Sequence, residues 1–557
     1  MISDFKIIGS SPFETKYILP KAVCLSAEGV DFPERLTENS EIQVNFGKHR
    51  SICFSTENGK RAAVLLDFGS ELSGGVRIVA GTASERTGVE VLLRFGESAS
   101  EAVTPDGIKG ACSDHAKREM RVSVPWNSAS VYGKIGFRFL FIELMTPNSR
   151  VDLYSLIAEF SYRNLPYTGS FSCSDGLLNR IYDTCAYTLH LNMQEMLWDG
   201  IKRDRAVWIG DMHPEVLTLR TVFGDQPLID ECLKHIADSY PLPLWPNNMT
   251  TYALWYIIIL GDWYKYNGRA NLVLSLSAYW RGLLNQLLGL VHKEGEALRE
   301  EEFLRGFFLD WPTKNQPESA AGIYAIFVLC LRSAISLCRI AGFADLENEC
   351  NSAIKILCRK PHSCGDKKQV TALAYLSGQL DSKTAGKILL NGGARGLSTF
   401  MSGYILEAAA RTGGISAALD ILKEYYGAML NAGATTFWED FDIEWVRENA
   451  RIDRLPENGE YDIHGDNGRY CYKGFRHSLC HGWSSAPAAF LAENVLGIHI
   501  VEAGCRKIEI KPQLGSLKWA KGTYPTPLGV ISVFAERLPD GTVKTDIAAP
   551  NTIKIIK

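Results

Sequence analysis

Three stretches of this 557-residue chain set tryptophan beside carboxylate. The first, 197–211, reads LWDGIKRDRAVWIGD. The second, 297–318, holds Glu300, Glu301 and Glu302 and then FLDWP at 308–312. The third, 434–483, opens with TTFWEDFD at 435–442 and closes with HSLCHGW at 477–483. An indole packs on the apolar C–H face of a sugar ring, while charged and amide groups bond the hydroxyls. Cleaving a glycosidic bond needs one carboxylic acid to protonate the leaving oxygen and one carboxylate to activate water or attack the anomeric carbon. The same residues also have ordinary structural uses. Asp199 after a helix serves as a turn or cap residue, Asp204 between Arg203 and Arg205 serves as a surface ion pair, and His477 serves as a hydrogen-bonded core histidine. Composition and spacing alone leave both uses open. No HExxH-like run or paired CxxC spacing points to a metal, and no cofactor or metal site is expected.

The elements that must position these stretches change character along the chain. Residues 1–165 carry short Val, Ile, Phe and Leu runs, such as 62–68, 76–80, 89–95, 120–124 and 137–145, separated by Gly, Pro, Asn and Ser. They read as a β-sandwich of jelly-roll type. From 166 to 497 apolar residues recur at helical spacing near 174–197, 212–223, 227–239, 250–266, 270–292, 318–341, 344–361, 367–378, 382–391, 397–412, 415–432 and 484–496. Tight turns at Asn267-Gly268, Ala341-Gly342 and Gly413-Gly414 make neighbours antiparallel, and about twelve such helices close into an (α/α)6 barrel. An open solenoid would leave a repeated signature, which the sequence lacks. Alternate turns of a barrel emerge at one end, so the three long connections converge on one mouth. Residues 498–557 return to short strands as a small C-terminal β-domain.

The bulk numbers narrow the partner. A net charge of −4 and a pI near 6.3 give no electrostatic reason to expect nucleic acid or an anionic membrane. Fourteen cysteines without regular spacing read as free thiols. The N-terminal MISDFKIIGSSPFETKY lacks the apolar core of a signal peptide, so the chain as written is expected in the cytoplasm, with export left to a leader preceding it. The most apolar stretch, Ala253 to Gly261, is too short to cross a bilayer, and no membrane span is expected. A small neutral ligand fits these numbers better; the expected partner is a carbohydrate and the expected state a monomer or homodimer.

At the three connections the sequence resembles glycoside hydrolase family 78, the inverting α-L-rhamnosidases. Asp199, Arg203-Asp204 and Trp208-Ile209-Gly210-Asp211 stand at the spacing of that family's first signature, Ala434 to Glu439 matches its Ala-Thr-Thr-x-Trp-Glu run, and Ser478 to Ser484 its Ser-x-x-His-Gly-Trp-Ser. The likeness extends to Gly169–Asp175, Phe137-Arg138-Phe139 and Tyr524–Gly529. It implies Asp204 as general acid and Glu439 as the base that activates water. It also implies Asp199 and Asp211 on sugar hydroxyls, Trp208, Trp311 and Trp255 around the sugar, and His481 as a polar contact. Arg203 and Trp438, within the same motifs, count with the binding residues. Two departures stand out. The family has Glu where this chain has Asp204, one methylene shorter, and Gly200-Ile201-Lys202 replaces the usual Cys-Pro-Gln. The alternatives are another (α/α)6 carbohydrate enzyme, an exo-glycosidase or a polysaccharide lyase, and a non-catalytic sugar-binding homologue.

Overall fold

The computed structural model describes residues 11–47, 50–292, 297–298, 307–359, 362–446, 449–468 and 472–557. Glu300, Glu301 and Glu302 lie outside the described residues.

The first part of the chain is a nine-stranded sheet built from β1 (Phe13–Ile18), β2 (Ala22–Ser26), β3 (Val30–Asp31), β4 (Ile52–Ser55), β5 (Ala63–Ala83), β6 (Val89–Gly96), β7 (Glu119–Val124), β8 (Ser128–Leu144) and β9 (Arg150–Arg163). Its order is β3-β4-β9-β5-β8-β6-β7, with β1 on β9 and β2 on β5. The runs at 62–68 and 76–80, expected as two strands, form one 21-residue strand. Its register against β8 slips between Asp67 and Leu72 and again between Gly74 and Val76, so GSELSGG is a pair of bulges and not a turn. The bends let one hydrogen-bonded sheet fold over a single core that includes Val64, Leu66, Ile78, Phe95, Phe137, Leu140 and Leu156. Ser98 caps a short helix, α1 (Ala99–Val103), by accepting from the Glu101 N–H.

The second half of β8 is buried on both faces because its outer face meets the helical part of the chain. Contact is closest at Gly136, whose N–H bonds the Ile201 carbonyl at 3.0 Å and where a Cβ would come within 2.4 Å of the Ile201 side chain. Arg138 clamps the same seam. Its guanidinium forks onto both oxygens of Asp67 at 2.8 Å and donates to the Gly433 carbonyl at 2.9 Å, immediately before the 434–442 run.

The helices follow as α2 (Gly176–Asn192), α3 (Met212–Val222), α4 (Pro227–Ser239), α5 (Thr250–Asn267), α6 (Ala270–Ser275), α7 (Ser277–Gly289), α8 (Ser319–Ala341), α9 (Ala344–Leu357), α10 (Lys368–Leu376), α11 (Ser382–Leu389), α12 (Ser402–Gly413), α13 (Ile415–Asn431) and α14 (Pro487–Phe490). The span expected as one helix over 270–292 breaks at Leu276. The span over 484–496 is a 3-10 turn at Gly482–Ser485, one α-turn and a π-turn at Leu491–Val495. Helix α5 buries nearly every side chain around its circumference, as a helix packed on all sides must, whereas α4 and α9 bury one stripe. Gly268 and Gly342, at φ 70° and 74°, supply the left-handed caps that end α5 and α8. Helix α8 is long and apolar enough to cross a membrane, with a mean hydropathy of 1.9, and 78% of that window is buried against the rest of the chain.

Near the C-terminus β11 (Asn449–Ala450) and β12 (Tyr461–Asp462) pair briefly in parallel. Strands β13 (Ile498–Glu502), β14 (Lys507–Ile510) and β18 (Lys554–Ile556) form one sheet. Strands β15 (Trp519–Thr526), β16 (Gly529–Arg537) and β17 (Val543–Ala548) form another, whose far edge is β10 (Ser170–Cys173). Residues 170–173, which the sequence reading groups with the helices, thus complete a sheet made more than 300 residues later. All thirteen described cysteines are free thiols.

Replacing Arg138 by Ala leaves the nearly buried Asp67 carboxylate without its fork, a change that costs about 3–5 kcal/mol when a buried pair is broken. The expected result is a clearly lower urea midpoint by tryptophan fluorescence; an unchanged midpoint would contradict this role.

Candidate active site

The three sequence motifs are locked together by backbone hydrogen bonds. Within the first, the Asp199 N–H donates to the Ala206 carbonyl and the Asp199 carboxyl accepts from the Ala206 N–H, both at 3.1 Å, closing the 199–206 loop on itself. That closure holds Asp204 and Arg205 in left-handed backbone, φ 53° and 57°, a conformation costing roughly 1–3 kcal/mol per non-glycine residue. The Gly482 N–H donates to the Asp199 carbonyl at 2.8 Å, the His481 N–H to the Phe437 carbonyl at 3.0 Å and the Glu439 N–H to the Ser478 carbonyl at 3.0 Å. The Glu439 carbonyl is held in turn by the Trp483 indole N–H at 2.9 Å and the Thr399 hydroxyl.

Together they face a cavity of about 410 Å³ lined by Asp199, Asp204, Trp208, Asp211, Trp311, Glu439 and His481, within the size range of small-molecule sites. Sequence reasoning missed Met249, Tyr252, Phe307, Phe308, Lys314, Asn315, Tyr472 and Trp483, which complete the lining. Trp483 and Phe308 stand inside recognised motifs, Phe307, Lys314, Asn315 and Tyr472 lie in the same long connections, and Met249 and Tyr252 come from outside them. Two aromatics expected at the sugar are elsewhere. Trp255 is buried in the helical core, stacked on His213 with ring centroids 5.2 Å apart and tilted against Tyr404 and Phe400. Trp438 is buried against Phe441 and His477 behind Glu439. Neither lines the cavity.

Arg203 is the cation of the site. One arm reaches Asp204 Oδ1 at 3.3 Å and the other bonds Glu439 Oε2, while the Tyr472 ring lies 4.1 Å from its centre. Burial works to raise the Glu439 carboxyl pKa, but Arg203, then His481 and His477, outweigh it and hold the group down to about 2. Glu439 is therefore an anion throughout the neutral range. Asp199 and Asp211 go the other way. Burial, with Asp204 and Asp211 adding repulsion at Asp199, and Glu439 and Asp204 at Asp211, pushes both well above the usual carboxylate range. Asp211 also accepts from the Tyr252 hydroxyl at 2.9 Å.

The His481 Nε2 lies 3.7, 3.9 and 4.0 Å from carboxylate oxygens of Asp199, Asp211 and Glu439. Three anions would keep it charged, yet burial brings its pKa down to about 4. The two facts agree once Asp199 and Asp211 are protonated, because the one remaining anion, Glu439, is already neutralised by Arg203. The His481 Nδ1 and Trp208 Nε1 are buried without a protein hydrogen-bond partner, so polar groups at the cavity are left for a ligand or water. Arg205 turns away, stacking on Trp198 at 4.5 Å and donating to the Lys134 carbonyl.

Behind the cavity lies a second charged cluster that sequence reasoning missed. The buried Lys202 ammonium contacts Glu97 at 2.9 Å and Glu101 at 3.2 Å, and donates to the Phe475 and His477 carbonyls. Burial works against its charge, but Glu101 and Glu97 hold its pKa above the ordinary value. Glu97 also accepts from the Leu479 N–H at 2.7 Å, one residue past the Ser478 N–H that bonds Glu439. Glu97, Glu101 and His464 bring donor atoms within 4.8 Å of one another, a metal-like spacing whose positive charge the chain supplies from Lys202.

An aspartate whose folded-state pKa lies above its unfolded value of 3.8 binds its proton more tightly when folded. Its stabilising contribution is full below that value and is lost as pH rises through the folded pKa. Asp211→Asn removes this ionisation while keeping an acceptor for Tyr252. The variant should gain thermal stability relative to the parent between about pH 4 and pH 8; a difference independent of pH would show that Asp211 is ionised throughout.

Residues 166–328 match the family model described as the bacterial alpha-L-rhamnosidase 6 hairpin glycosidase domain. A curated alpha-L-rhamnosidase of Formosa agariphila is 26% identical over 159 residues, 27% of this chain and 16% of that protein. The fold is similar to that of the GH78 family rhamnosidase of Bacillus sp. GL1, with TM-score 0.75 and 22% identity over 94% of this chain and 55% of that one. It is also similar to the rhamnosidase from Klebsiella oxytoca with rhamnose bound, with TM-score 0.65 and 19% identity over 86% of this chain and 96% of that one. The chain thus spans about half of the Bacillus protein and a small part of the Formosa one. Its mixed architecture of β-sheets and many helices is the one those rhamnosidases have, and residues 166–328 carry the match to the rhamnosidase family model.

Proposed function

We propose that this chain is a glycoside hydrolase that removes a terminal α-L-rhamnose, or a closely similar L-sugar, from a glycoside or oligosaccharide with inversion. The observation that carries the reading is the single cavity shared by Asp204 and Glu439, bridged by one guanidinium. Glu439, held as an anion, suits a base that takes a proton from water. Asp204 engages Arg203 and His115 through Oδ1, so Oδ2 is the oxygen that serves the leaving group as acid. Asp199 and Asp211, carrying protons, both donate to and accept from sugar hydroxyls, and His481 and Trp208 add the donors that lack protein partners. Trp311, Phe308 and Met249 offer an apolar wall for a C–H face and for the methyl group of a deoxy sugar.

The same reading takes the helices as an (α/α)6 barrel. Contacts between α3 and α5, α5 and α8, α8 and α10, α10 and α12, α12 and α14, and α14 and α3 run in a closed ring, which supports it. In this scheme a β-sandwich over 1–165 and a smaller β-domain over 498–557 flank the barrel at 166–497. The three long connections lead into the N-terminal ends of α3, α8 and α14, in keeping with one shared mouth.

Glu439→Gln should lower kcat on an aryl α-L-rhamnoside by at least about 100-fold, the scale of general base catalysis, with azide restoring turnover and giving a glycosyl azide. Asp204→Asn should cost far more on a poor leaving group than on an activated one. Rhamnose binding by the parent chain without turnover of any aryl rhamnoside would contradict the enzyme reading and favour a sugar-binding protein.

A further inference from the structure

We propose that His115, supplied by the N-terminal part of the chain, is the residue that returns a proton to Asp204 after each turnover. The inference rests on the reading of Asp204 as the acid. His115 lies between α1 and β7, far in sequence from the three motifs, and its Nε2 stands 3.3 Å from Asp204 Oδ1. The segment that carries it is fixed from below. Arg118, fully buried, bonds Asp106 and donates to the Phe95, Glu101 and Thr104 carbonyls, and the Ser113 hydroxyl accepts from the Arg118 and Glu119 N–H groups. Asp114 is the competing acceptor at 3.6 Å, but it is paired with Arg476 at 2.9 Å and accepts from the Cys112 thiol. The charged groups facing the imidazole are therefore Asp114, neutralised by Arg476, and Asp204, which shares Oδ1 with Arg203.

Exposure divides the labour. The Arg203 side chain is 3% exposed and offers no route to water, whereas that of His115 is 41% exposed. Asp204 gives its proton to the glycosidic oxygen as the C1–O bond breaks with its electron pair passing to that oxygen. The attacking water adds to C1 and its proton goes to Glu439. The ionised Asp204 then takes the Nε2 proton of His115 while the ring gains one from solvent at Nδ1, and exchange with water restores the first tautomer. Rotation of the carboxyl brings the new proton to the cavity side. His115 acts through Asp204 and does not touch the sugar. The arrangement also gives the short acid a second, more exposed partner beside Arg203.

The test compares His115→Ala with Asp204→Asn in the full chain on methyl α-L-rhamnoside, whose leaving group needs an acid, and on 2,4-dinitrophenyl α-L-rhamnoside, whose leaving group does not. His115→Ala is expected to lose at least about tenfold more rate on the methyl glycoside than on the aryl one, with added imidazole restoring the methyl rate. Equal losses on both substrates, no loss on either, or a selective loss that imidazole does not restore would overturn the relay. If Asp204→Asn shows the selective loss and His115→Ala does not, the relay alone falls. If Asp204→Asn treats both substrates alike, or the parent chain hydrolyses neither, the acid assignment falls and takes the relay with it.

Discussion

The site is organised around one buried positive charge. The Arg203 guanidinium touches both Asp204 and Glu439, and without it four carboxyl groups and a histidine would share one cavity without the buried cation that holds two of them. A low-dielectric pocket tolerates one anion only where a cation faces it, and leaves the other acids to keep their protons. Glu439, in contact with Arg203, is held as an anion, while burial and the repulsion of neighbouring carboxylates push Asp199 and Asp211 the other way.

Holding Arg203 in place is a task for the whole chain. The guanidinium donates to the Arg476 carbonyl at 2.7 Å, and the neighbouring Lys202 fastens the same two loops to Glu97 and Glu101 beneath them. The N-terminal part of the chain is therefore continuous with the site: the segment between β6 and β7 supplies Glu97, Glu101 and His115, and Arg138 of β8 clamps the chain at Gly433, just before the 434–442 run. The bulges in β5 matter here because they bend the sheet so that its buried outer face presents Gly136 and Phe137-Arg138-Phe139 to the 197–211 loop.

Much of this was legible in the sequence. The helical periodicities gave helices near the expected positions, and the three motifs do meet at one cavity, because each pairs an aromatic with a carboxylate in a long connection that a compact domain has little other reason to keep. What escaped has physical reasons. Trp255 sits in a helix that is apolar on every face, so periodicity could not tell an inward core position from a cavity position. Trp438 precedes Glu439, but its ring is buried against Phe441 and His477 while the Glu439 carboxyl faces the cavity, and a motif match cannot tell the two directions apart. The bulged strand was invisible because glycine and serine runs mark turns and bulges alike. Tyr252, Tyr472 and His115 reach the site through tertiary contacts alone, and no local pattern announces them.

The account stands on two carboxyls acting from opposite sides of one sugar, the anion deprotonating water and the acid releasing the leaving group. The most direct test is proton NMR of the first seconds of α-L-rhamnoside hydrolysis by the full chain, before mutarotation mixes the anomers. Inversion predicts β-L-rhamnose as the first product signal, with the α-anomer growing in later. If α-L-rhamnose appears first, the base assignment of Glu439 is wrong and the reaction proceeds through a covalent intermediate.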